Sequence, residues 1–111
     1  YAQEKTTNIG ADRIKAILLR QKGWTAEWHC ASDDVLTNLV FEDRGKKFVV
    51  KIHNPYEDIS CKRKVKIKSD GFRMSGCYLG LVDLFYDPND HRYPFKTKGD
   101  NLECDLMLKA K

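Results

Sequence analysis

Ala11, Ile14, Ile17 and Leu18 fall on one face at helical spacing and predict a single helix over about Ile9–Gln21. Asn8 or Thr7 can cap its start, Asp12 suits the first turn, Arg20 and Lys22 suit the last, and Gly23 stops it. After Gly23 the period falls to two, which is the repeat of strands. Trp24–Cys30 reads as a short strand or an aromatic loop, and Val35–Phe41 as a strand. Asp43-Arg44-Gly45 turns the chain into Lys47–His53, where Phe48, Val50 and Ile52 share one face and Lys47, Lys51 and His53 the other. Asn54-Pro55 ends that arm. Cys61–Lys68 alternates closely, with Cys61, Arg63, Val65 and Ile67 on one side and Lys62, Lys64, Lys66 and Lys68 on the other.

Tyr78–Tyr86 is apolar on both faces apart from Asp83, as in a central strand, and Asp87-Pro88-Asn89-Asp90 is a strong turn. Arg92–Thr97 returns, with Pro94 marking an edge or irregular strand. Lys98-Gly99-Asp100-Asn101 turns again before Leu102–Leu108, whose inward set is Leu102, Cys104, Leu106 and Leu108. The simplest packing of these faces is an α+β domain, one N-terminal helix on a twisted antiparallel sheet.

Composition narrows the class. The chain has 111 residues, 41% hydrophobic and 32% charged, which fits one globular domain spanning 1–111 and argues against disorder. No apolar run approaches the ~20 residues that cross a bilayer. Tyr1-Ala2-Gln3-Glu4-Lys5 has none of the regions of a signal peptide, so the chain reads as a mature form. Cys30, Cys61, Cys77 and Cys104 are widely spaced and lack a C-x-x-C pair, which favours two disulfides and an oxidising compartment over a metal site. Three pairings are open. No N-x-[ST] acceptor is present, and nothing in the sequence calls for a cofactor or a metal.

Charge singles out one segment. Lys62, Arg63, Lys64, Lys66, Lys68 and Arg73 are opposed within their span only by Asp70, on a chain of net charge +4. Lysines at alternate strand positions stand roughly 6.5–7 Å apart and can track a phosphate backbone. Tyr56, Phe72, Tyr78 or Tyr93 would then be the residues to stack on bases. The plainer reading is a solvated sheet face, or an edge protected from aggregation by lysines. Cleavage of RNA through its 2′-hydroxyl would need a base (Glu57 or His53), an acid (His91 or His29) and a cation (Arg63, Arg73 or Arg92). Such a set is common in chains of this size, and solvated surface histidines explain it equally simply. Trp28-His29-Cys30 offers a thiol beside an imidazole, but three other cysteines favour a disulfide there. Trp24 and Trp28, four residues apart, read by default as core, with a protein-binding anchor as the alternative.

Gly80-Leu81-Val82-Asp83-Leu84-Phe85-Tyr86-Asp87-Pro88-Asn89-Asp90, followed by Tyr93–Asn101 and Leu102-Glu103-Cys104, resembles the closing section of small fungal guanyl-specific ribonucleases. It is more similar still to the ribonuclease-like effectors secreted by powdery mildew fungi. Phe48–Ile59, with its Asn54-Pro55-Tyr56-Glu57 bend, is similar to the segment that carries the glutamate base. The resemblance implies a microbial-ribonuclease-like fold. It also departs from the pattern. Tyr1-Ala2-Gln3 lacks the effectors' Tyr-x-Cys, so Cys104 needs another partner than the amino-terminal cysteine. Thr97 and Lys98 stand where the active enzymes carry a histidine, and the arginine position falls among Gly80, Leu81 and Val82.

The expectation is a catalytically inactive, secreted effector that enters the host cell as a monomer and does not bind membranes. It would contact a host plant protein, an immune receptor or RNA, the RNA on Lys62, Arg63, Lys64, Lys66, Lys68 and Arg73. Alternatives are an active ribonuclease using Glu57 with His53 or His91, and a cystatin-like protease inhibitor, although the Gln-x-Val-x-Gly loop of cystatins is missing.

Overall fold

The computed structural model describes residues 8–30, 34–77, 80–98 and 104–111. One helix, α1 (Ala11–Arg20), precedes nine strands: β1 (Trp24–Cys30), β2 (Asp34–Asp43), β3 (Phe48–Asn54), β4 (Ile59–Lys64), β5 (Lys66–Ile67), β6 (Gly71–Ser75), β7 (Leu81–Tyr86), β8 (Phe95–Lys96) and β9 (Cys104–Ala110). Every pairing is antiparallel, and the order is β4-β3-β2-β1-β9-β8-β7-β6-β5.

The two ends of that order belong to one run of chain. β4 pairs with β3, and one residue later β5 pairs with β6. Val65 joins them, and its N–H donates to the Phe48 carbonyl at 2.8 Å. A single kinked strand therefore changes partner half-way and nearly closes the sheet on itself, giving a meander wrapped into an eight-sided barrel. The α+β expectation of a helix lying on an open sheet is thereby overturned. Strand makes up 55% of the described residues and helix 11%, so the fold is mostly β. The physical reason lies in the inward faces. They are long, alternating and supplied by every strand, and closing the sheet buries them against each other without a covering helix.

The core shows the closure directly. Phe41 of β2 meets Phe72 of β6 edge-on at 5.4 Å between ring centroids, although four strands lie between them in the sheet order. Phe72 meets Phe95 at 5.4 Å and Phe95 meets Trp24 at 5.7 Å, so rings from four sides share one interior. Leu39, Val50, Met74, Leu84, Leu106 and Leu108 complete it. Trp24 and Trp28 are both core and not exposed anchors.

The helix plugs one end of the barrel. Ile14 and Leu18 are fully buried, and Trp24 Nε1 donates to the Leu18 carbonyl at 3.1 Å. Its start is not capped by Asn8, and Thr7 lies outside the described residues. Gly10 is the cap, at φ 95°, and the Ile9 and Gly10 N–H groups both donate to the Ser69 carbonyl at 3.0 Å. The Arg44-Gly45 turn, the β5–β6 and β7–β8 connections and Lys111 share this helix end, because neighbouring strands alternate in direction. The β3–β4 connection lies at the far end, with the last residues of β1 and β6 and the first of β2, β7 and β9.

Other boundaries moved for identifiable reasons. The long strand read at Cys61–Lys68 is β4 plus β5, split where it changes partner. The sequence pattern does not predict β6, which is short and begins at Gly71 directly after Asp70, yet Phe72 and Met74 are fully buried. Pro94 sits just before β8, which is interior to the sheet order and not an edge. The opening residues read for a signal peptide, Tyr78, Leu102 and most of the Lys98–Asn101 turn lie outside the described residues.

Candidate functional site

All four cysteines are bonded. Cys30 joins Cys104 across the directly opposed positions of β1 and β9, and Cys61 joins Cys77 from β4 to the stretch after β6. The second bridge spans the part of the seam where β4 has no strand partner on that side. Cys30 is thus neither nucleophile nor metal ligand. The described residues hold no cluster of metal-ligating side chains, and no helix among them is long and apolar enough to cross a membrane. The two disulfides fit a secreted, disulfide-stabilised protein.

The six basic residues of the Lys62–Arg73 segment divide into three groups. Arg63 faces inward with Cys61 and reaches across the seam, donating to the Gly76 carbonyl at 3.4 Å and the Cys77 carbonyl at 3.2 Å. Lys68 and Arg73 both grip Asp83 on β7, at 3.0 Å and 2.8 Å. The Arg73 guanidinium, with help from Lys68, holds the Asp83 carboxyl below the usual carboxylate range. Lys62, Lys64 and Lys66 remain exposed on the outer face and make no ion pair among the described residues.

Register then adds residues that the segment alone did not reveal. Lys51 of β3 stands directly opposite Lys62 of β4, an arrangement that destabilises a sheet when both carry charge. Lys51 is partly offset by Glu42 at 2.8 Å, and the Lys51 ammonium, with Arg44, lowers the Glu42 carboxyl. Lys51 and Lys62 line a shallow groove on the outside of β2–β4, with His53, Asn38, Val40 and Lys111. Among the described residues, no aspartate or glutamate side chain lines it. Glu42 lies behind Lys51, and Asp58 stands 3.6 Å from His53. The alternation of Lys47–His53 had already put Lys51 and His53 on the polar side of their arm. What that pattern lacked was the register that sets them beside Lys62.

Of the candidate catalytic residues, Glu57 and His29 line one open groove, while His53 and His91 are not part of its lining. Glu57 lies in the β3–β4 connection at the far end, and His91 in the β7–β8 connection at the helix end. His53 faces outward on β3, and His29 lies between Asp34 at 3.2 Å and Glu27 at 3.5 Å on the outside of β1 and β2. Glu27 also accepts from the Tyr93 hydroxyl at 2.6 Å, a bond that raises the Tyr93 pKa. Arg92 packs over the Tyr93 ring. Of the aromatic residues considered for base stacking, Phe72 is buried in the core, Tyr93 is engaged in this way, and Tyr56 is 77% exposed in the Asn54–Ile59 turn.

The far end of the barrel also holds a mostly apolar cavity of about 160 Å³, lined among others by Trp28, Val35, Thr37, Ile52, Ile59 and Glu57. No family model, curated protein or solved structure matches this chain.

Proposed function

We propose that this protein is a secreted, non-catalytic binding module that holds single-stranded RNA by its phosphates on the outer face of β2–β4. One observation carries the reading. Lys51 and Lys62 are juxtaposed across strands in a groove that no aspartate or glutamate of the described residues lines, and Lys64 and Lys66 extend the same cationic row. Directly opposed like charges cost stability in a sheet, and a bound phosphate relieves that cost while releasing counterions from the nucleic acid. Arg63, Lys68 and Arg73 take no part, since their hydrogen-bonding capacity is turned to the seam and to Asp83. The reading rests on this surface and not on the resemblance to fungal ribonucleases, whose implied fold the barrel replaces.

Fluorescence anisotropy of a labelled single-stranded RNA, with a gel of the same samples, tests it. The salt dependence expected for four lysines on a single strand is a log–log slope of about −3. Charge reversal in Lys62→Glu/Lys64→Glu should weaken binding at least tenfold and reduce the magnitude of that slope by about 1.4. Arg13→Glu on the exposed side of α1 should do neither. Binding indifferent to salt, or to the double substitution, sinks the reading. Shortened RNA on the gel sinks its non-catalytic half.

A further inference from the structure

The cavity at the far end lies away from the cationic groove and has its own chemistry. Eight-sided barrels of this kind have interiors that side chains just fill or that hold one small ligand. Here the helix end is filled by Ile14, Leu18 and Trp24, while the far end retains the space. Its floor and walls are Trp28, Thr37, Ile52 and Ile59. The one polar pair inside is already satisfied, because Trp28 Nε1 donates to Thr37 Oγ1 at 2.8 Å. Cys30 and Cys77, one from each disulfide, stand in the wall and hold the mouth in shape. An enclosed apolar cavity of about 150 Å³ is large enough for one benzene ring, and this half-open pocket offers about 160 Å³.

The mouth is not neutral. Val35, Asn54 and Glu57 belong both to the cavity and to an adjoining open groove that also contains Glu27 and Asp34. Three carboxylates line that groove, with His29 as the basic side chain among its described lining residues, and Glu57 is the one of the three that also lines the cavity. An apolar hole of one-ring size beside an acidic groove is complementary to a ring that carries a positive charge on a short arm.

We infer that the far end of the barrel is a binding site for a small aromatic amine, whose ring enters between Trp28 and Ile59 and whose ammonium group meets Glu57. The two tryptophans make the test self-controlled, since Trp28 lies in the cavity and Trp24 is bonded to the helix at the opposite end. Benzylamine, benzyl alcohol and benzoate present the same ring with positive, neutral and negative arms. Titrating each into the ¹⁵N-labelled protein should shift the Trp28 indole N–H and leave that of Trp24 in place. Affinity should fall in the order benzylamine, benzyl alcohol, benzoate, by roughly two- to fivefold per step for a solvent-accessible charge contact. Glu57→Gln, an exposed turn substitution, should reduce the charge preference while preserving ring binding. Val35→Phe should fill the mouth and abolish the Trp28 shift for all three. Absence of any Trp28 shift at millimolar probe overturns the site, as do equal shifts of both indoles. Equal affinity for the three probes, or an unchanged preference in Glu57→Gln, overturns the assignment of Glu57.

Discussion

At the scale of single residues, two positions show how the barrel constrains its sequence. A Cβ on Gly71 would collide with the Leu84 carbonyl of the neighbouring strand, backbone that cannot yield without breaking the β6–β7 ladder. Gly71→Ala should therefore cost roughly 3 kcal/mol in urea denaturation. Gly80→Ala has open space around the new methyl and should fall within about 0.5 kcal/mol of the parent. Equal effects at the two sites would mean that the close approach is not a constraint. Asp83 is the second. It stands alone among apolar neighbours in its strand, and from sequence it looks like a defect in an otherwise central segment. Only the register, with Arg73 directly opposite, shows it to be the counter-ion that removes Lys68 and Arg73 from the cationic row. Asp83→Asn should lower Tm by about 2–5 °C for the loss of these partly exposed pairs. It should also strengthen RNA binding and steepen its salt dependence, because two cations rejoin Lys66. Destabilisation with unchanged RNA binding would separate Asp83 from the binding face.

At the scale of elements, the β4–β5 strand decides the architecture, and it was the element most legible and most misleading in the sequence. Its alternation correctly placed Cys61, Arg63, Val65 and Ile67 on one face, because a strand's period survives a change of partner. The change itself leaves no periodic trace, so the same residues read as one strand of an open sheet. The identity of the bonded cysteines was hidden for a related reason: pairing depends on which strands become neighbours in the closed barrel. Each disulfide guards a different closure. Chain-entropy estimates give about 3 kcal/mol for the 16-residue separation of Cys61–Cys77 and about 4.4 kcal/mol for the 74-residue separation of Cys30–Cys104. Replacing the second pair with alanine should thus lower global stability more. Replacing the first should act locally, raising amide exchange at Arg63, Gly76 and Cys77, where the ladder is missing and Arg63 is the remaining tie. Uniform exchange across the barrel in the Cys61→Ala/Cys77→Ala variant would show that the seam is held by the strands alone.

At the scale of the whole molecule, the barrel carries its charge unevenly, and this sets its response to pH. Helix, groove and turns place cations against Glu42, Asp43, Asp83 and Asp90, and hydrogen bonds from Lys51, Lys15, Arg73 and Lys96 respectively lower all four carboxyl pKa values. A carboxyl whose folded pKa lies below its unfolded value of about 3.9–4.3 binds its proton more readily in the unfolded chain. Its contribution to stability is therefore complete above about pH 5 and is lost as pH falls through the lower, folded values. Tyr93 and Lys96 shift upward, through the hydrogen bonds to Glu27 and Asp90 respectively. Their contributions are complete below about pH 10 and are lost as pH rises through the folded values. Acid has a second effect here. Once the carboxyls are neutral, 20 lysines and arginines and three histidines are left with no side-chain counter-charge, and Lys51 facing Lys62 loses the relief that Glu42 provides. The urea midpoint should accordingly stay level from about pH 9 down to pH 5 and fall between about pH 4 and pH 2. Added salt at pH 3 should recover part of the loss by screening the repulsion. Glu42→Gln/Asp43→Asn should start lower at neutral pH and decline less steeply in acid, since two of the groups that titrate are gone. A midpoint that holds to pH 2, or a double variant that falls as steeply as the parent, would mean that these ion pairs contribute little and that the apolar interior alone sets the stability of the barrel.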